Sequence, residues 1–161
     1  MKAVQSLLVA FVLLLSSFAL AGANFPVGPN PTLTPGSLCT SPTSQRYPEH
    51  INYCERDVAS DLKNQIIQTY DQQLGFHIGS MDRGDFKIDH FIPLSIGGSN
   101  ESTNLWPQHK SIYGVTDQLE QLLSNKISAG RIKQADAVRV IREAKLNLGR
   151  VPDLVHYVNG L

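Results

Sequence analysis

Residues 87–110 read KIDHFIPLSIGGSNESTNLWPQHK, and this segment limits the fold more than any other. Asp89 and His90 stand side by side among Ile88, Phe91, Ile92 and Leu94. A plain buried strand has no use for an acid–imidazole pair. A plain loop has no use for the four apolar residues around it. The pattern predicts a strand over 86–92 ended by Pro93, a loop over 97–100, and a short return strand over 103–106 ended by Pro107. Neighbouring strand positions face opposite ways, so Asp89 and His90 serve different surroundings. Each needs a partner if buried, because unpaired polar groups in a core are costly. Gly97 and Gly98 form the turn that lets the second strand fold back, bringing Asn104 and His109 within reach. That set holds one carboxylate, two imidazoles and one amide. A hard divalent ion accepts carboxylate oxygen and imidazole nitrogen and keeps positions open for water and phosphate. A neutral imidazole takes a proton from water near neutral pH. The Asn104 amide either fixes the imidazole or pins the loop.

The rest of the chain predicts helices around this segment, giving an α+β fold. Val58, Leu62, Ile66 and Tyr70 recur every fourth residue, with Asp57 as N-cap and Gly75 as stop. Residues 76–80 read as a short strand and 81–85 as a turn. Asp117 and Glu120 fit a capping box ahead of Leu119, Leu122, Leu123 and Ile127. Val138, Ile141, Ala144 and Leu148 mark a last helix, closed by Gly149 and Pro152. Arg131, Lys133, Arg139, Arg142, Lys145 and Arg150 cluster there, as a basic face or as a solvated helix surface. Trp106 is expected in the core rather than stacked on a base.

The start of the chain bears on compartment. Lys2, an apolar run over 7–15 and small residues at Ala19, Ala21 and Ala23 have the layout of a cleaved signal peptide, 1–23. Residues 24–48 are rich in Pro, Gly, Ser and Thr and read as a linker or surface arm. Residues 49–161 read as a single domain. Lys+Arg and Asp+Glu each number 14, and loss of Lys2 with the leader leaves 13 basic residues against 14 acidic. Such balance argues against tight non-specific coating of nucleic acid but leaves room for a small basic groove. Export predicts a Cys39–Cys54 disulfide, a periplasmic or secreted location, and no membrane attachment after cleavage.

The order Asp-His-x-Ile-Pro-Leu-x-x-Gly-Gly followed by Asn-Leu-Trp-Pro-Gln resembles the HNH endonucleases of the His-Me finger (ββα-metal) group, in a branch of small exported bacterial proteins. Tyr53–Val58 (YCERDV) and Thr116–Glu120 (TDQLE) add to the resemblance. It implies a ββα-metal core, a two-stranded hairpin among helices, and hydrolysis of phosphodiester bonds in DNA, with RNA as the alternative substrate. It also implies His90 as the general base, Asn104 as the residue orienting it, and Asp89 as ligand to a divalent ion. That ion would be Mg²⁺, with Mn²⁺, Zn²⁺ or Ni²⁺ as alternatives. The chain departs from the pattern at its last position, where the helix holds Ile112 and Tyr113. Either His109 supplies the second ligand, or Asp89 holds the metal with waters, or the site is weakened. Lys87 and Lys110 flank the site as phosphate contacts or solvated charges. The rival class is a non-catalytic module that binds nucleic acid or an envelope partner on an HNH scaffold.

Overall fold

The computed structural model describes residues 24–161 and is mixed α+β. The signal-peptide expectation falls on residues 1–23, outside the described residues. A first hairpin pairs β1 (Ser44–Arg46) with β2 (Ile51–Tyr53). It turns through Tyr47 and His50, both at positive φ. Helix α1 (Ser60–Leu74) follows, then two single 3₁₀ turns and strand β3 (Phe86–His90). After two more 3₁₀ turns the chain returns as β4 (Leu105–His109) and runs directly into α2 (Lys110–Ser128). Helices α3 (Gln134–Leu146) and α4 (Val151–Asn159) close the chain.

The apolar periodicity of the helices builds two cores on either side of the 87–110 segment. One gathers Leu119, Leu123 and Ile127 of α2 with Val140, Ile141 and Ala144 of α3, Leu154 and Val158 of α4, and Ile92 and Ile96 from the loop after β3. The other packs Ile66, Ile67 and Tyr70 of α1 against Phe86, Ile88, Leu105 and Trp106 of the second hairpin. Trp106 is fully buried, as expected.

Several boundaries differ from the sequence expectation. The return strand runs through Pro107 to His109. Pro107 lies opposite Ile88, and a two-stranded ribbon leaves each strand an outward side where a missing N–H breaks no ladder bond. Helix α2 begins at Lys110, with His109 as its cap, so Asp117 and Glu120 lie inside it rather than at its start. Pro152 opens α4 instead of ending α3; its fixed φ suits a first helical turn. Residues 78–80 form a 3₁₀ turn rather than a strand.

The arm is part of the body. Thr34 Oγ1 donates to the Leu105 carbonyl at 3.0 Å and lies 2.8 Å from the Tyr70 hydroxyl. Backbone bonds run from Gly36 N to Thr103 O, from Cys39 N to Gly97 O and from Ser99 N to Ser37 O. The arm thus straps the loop between β3 and β4. The disulfide joins Cys39 to Cys54, a separation of 15 residues, and ties the strap to the segment entering α1. Closing a loop of that length stabilises the fold by about 3 kcal/mol in the chain-entropy picture. Replacing both cysteines by serine should lower unfolding free energy by about that amount in denaturant melts. An unchanged midpoint would show that the strap holds without its staple.

Candidate active site

The site lies where β3 ends. Asp89 and His90 are both buried, at 8% and 4% exposure, and their side chains meet separate sets of partners, as strand alternation requires.

His90 is held from both ring nitrogens. Arg56 Nη1 lies 3.1 Å from Nδ1, and Arg56 Nη2 donates to the Ile88 carbonyl at 2.9 Å. A guanidinium only donates, so Nδ1 accepts and the ring proton sits on Nε2. That proton points to Asn100 Oδ1 at 3.0 Å. Asn100 is itself oriented by donating to the Glu55 carbonyl at 2.7 Å. Burial, only partly offset by the Asn100 bond and reinforced by the Arg56 charge, pushes the His90 imidazole down to about 4. It is therefore neutral at physiological pH.

Asn104 pins the loop rather than the imidazole. Its buried carboxamide accepts from Ile92 N at 2.8 Å and donates to Ile92 O and Ser99 O, each at 2.9 Å. The Asn104 backbone carbonyl accepts the Phe91 N–H at 2.7 Å. This closure needs Gly98, where a Cβ would overlap the Ile92 carbonyl and crowd Asn104 Nδ2. Gly97 sits at φ 92°, a region that favours glycine.

Asp89 is closed by ammonium groups. Lys145, on α3 and with no exposed side-chain surface, donates to Asp89 Oδ2 at 2.8 Å. It also reaches the His90 carbonyl and Glu120 Oε1 of α2, each at 2.6 Å. Lys87 lies 3.4 Å from Asp89 Oδ1 and 3.2 Å from Asp117, with its ammonium 4.3 Å from the Tyr113 ring centre. Burial works against the charge on Asp89, but Lys145 and Lys87 outweigh it and hold the carboxyl below its ordinary range. Lys145 is likewise kept protonated against its burial by Asp89 and Glu120.

His109 stands apart from this centre. It pairs with Phe86, whereas Asp89 pairs with Trp106, three register steps away. That is about 10 Å along the strand. Its Nδ1 accepts from the Ser111 N–H at 3.2 Å, its Nε2 lies 3.8 Å from Asp85, and its ring stacks on Phe25 with centroids 3.9 Å apart. His109 is a helix cap, and in this arrangement it does not share an ion with Asp89. Lys110 is bound to Asp85 at 2.5 Å, on the same side as His109. The basic cluster is dispersed: Arg139 pairs with Asp136, Arg150 with Glu143 and Asp153, and Arg142 donates to Pro35 O.

The sequence reading missed Arg56, Asn100, Glu120 and Lys145 as site residues. It also expected a divalent ion at Asp89. The cation position beside Asp89 is taken by a buried ammonium, and no group of three or more His, Cys, Asp and Glu suited to a metal occurs among the described residues.

The His90 geometry predicts a pH effect. A pKa lowered from 6.5 to about 4 makes the neutral ring's contribution complete above pH 6.5 and lost as pH falls toward 4. Stability should drop by about 3 kcal/mol across that window beyond the loss seen in His90→Asn, measured by denaturant melts at several pH values. Parallel curves for the two proteins would contradict it.

Compared with known proteins, the chain matches no family model, no curated protein and no solved structure.

Proposed function

We propose that this chain is an HNH-like endonuclease that hydrolyses phosphodiester bonds of DNA, with RNA as the alternative substrate. The observation that carries the reading is the His90–Arg56 pair: a neutral imidazole of fixed tautomer beside an exposed guanidinium. A guanidinium is suited to binding phosphate through two parallel hydrogen bonds. The imidazole offers a lone pair for a water proton. The hairpin β3–β4 leading into α2 supports the ββα reading of the resemblance.

In the proposed reaction the scissile phosphate draws Arg56 away from Nδ1. Loss of that neighbouring positive charge raises the basicity of His90, since Arg56 is one of the groups depressing it. Nδ1 then takes a proton from water as the water oxygen bonds to phosphorus. The bond from phosphorus to the 3′ oxygen breaks, and that oxygen is protonated from solvent. Asn100 keeps its bond to Nε2–H and steadies the imidazolium. Asn104 holds the loop that fixes the backbone at His90. No step runs through a metal.

The rival, a binding module without catalysis, draws support from one observation: both ring nitrogens of His90 are already engaged. Purified mature protein should convert supercoiled plasmid to nicked and linear forms. His90→Ala should reduce the rate by about 100-fold or more, the scale of a lost general base. Arg56→Ala should weaken cleavage and flatten its salt dependence. Wild type that cuts no faster than His90→Ala in EDTA, Mg²⁺ or Mn²⁺ would sink the nuclease reading.

A further inference from the structure

The ammonium of Lys145 is the most completely enclosed charge in the site. Its Nζ donates to Asp89 Oδ2 and to the His90 carbonyl and forms an ion pair with Glu120 Oε1 at 2.6 Å, so three oxygens surround it. These oxygens come from β3 and α2, while the lysine comes from α3. The arrangement is thus an oxygen cage built around a cation, with one carboxylate on each of two elements. A hard divalent ion would use the same donor chemistry. It could not bind at Asp89 Oδ2 without standing next to an ammonium that has no exposed side-chain surface. Lys87, on the other carboxylate oxygen, adds a second positive charge against it.

We propose that Lys145 is the resident cation of this site, its ammonium holding Asp89, Glu120 and the His90 carbonyl in place of a divalent ion, so that the segment bearing His90 assembles without metal. Lys145 is a positioning residue: it lies across the strand from the imidazole and acts through the His90 backbone. The claim about assembly is independent of the nuclease reading. Only its corollary, that cleavage needs no added metal, rests on that reading.

The test is Mn²⁺ binding, followed by calorimetry and by the electron-spin resonance signal of free Mn²⁺, together with thermal melts in Mg²⁺ or Mn²⁺. Wild type should show no millimolar binding that disappears in Asp89→Asn, and no rise in melting temperature with either ion. Lys145→Met leaves two buried carboxylates without their partner. It should melt lower, and millimolar Mn²⁺ should restore part of the loss through Asp89, so that Lys145→Met/Asp89→Asn is not rescued. Stoichiometric Asp89-dependent Mn²⁺ binding by wild type would overturn the proposal, and this arm decides even where the Lys145 variant does not fold. Metal-activated plasmid cleavage that depends on Asp89 would overturn it while sustaining the nuclease reading. Absence of all cleavage would overturn the nuclease reading, and the binding result would then decide the Lys145 proposal by itself.

Discussion

Lys145 puts a positive charge where water does not reach, and the arrangement of three elements follows from answering it. Its partners are Asp89 of β3, Glu120 of α2 and the carbonyl of His90. Removing one member of such a buried network costs about 3–5 kcal/mol, because a stranded charge remains. The lysine therefore couples the three-helix core to the hairpin. Burial and the nearby Asp89 raise the Glu120 carboxyl despite its contact with Lys145, so it is the acid of the cluster that protonates first as pH falls. The charge balance is richer than a simple pair: Lys87 answers Asp89 from one side and Asp117 from the other.

The adjacency of Asp89 and His90 then has a physical purpose. Strand alternation sends the charged residue toward the ion cluster and the neutral imidazole toward Arg56 and Asn100. One residue anchors the strand, and its neighbour is left uncharged and oriented. The loop after them is closed by the Asn104 carboxamide and strapped from outside by residues 34–39. The disulfide extends this control. Cys54 is followed directly by Glu55 and Arg56, and both reach the His90 neighbourhood, one through Asn100 and one directly. The staple thus fixes the segment that sets the imidazole's tautomer.

Much of this was legible in the sequence. The hairpin, the Gly-Gly turn, the Cys39–Cys54 bridge, the α1 register and the opposite facing of Asp89 and His90 all follow from local pattern. Pattern failed where tertiary context decides. Residues 24–43 lack periodicity, yet their backbone groups find partners across the loop. Arg56 and Asn100 carry no local signature, because their importance lies in contacts across 34 and 10 positions. Lys145 did leave a trace: it follows Ile141 by four residues on the apolar face of α3, where a solvated lysine does not belong. The basic residues on either side of it in sequence mask that trace. His109 misled because it follows the motif closely in sequence, while the hairpin register carries it to the far end of the ribbon.

The central claim is that His90 is a neutral imidazole protonated on Nε2, with Nδ1 facing Arg56. Long-range ¹H–¹⁵N correlation spectra of ¹⁵N-histidine-labelled mature protein at pH 7 report this directly. The account predicts a protonated-type Nε2 and an unprotonated-type Nδ1 for His90, with Nδ1 shifting in Arg56→Ala. A cationic ring at pH 7, or a proton on Nδ1, would contradict it.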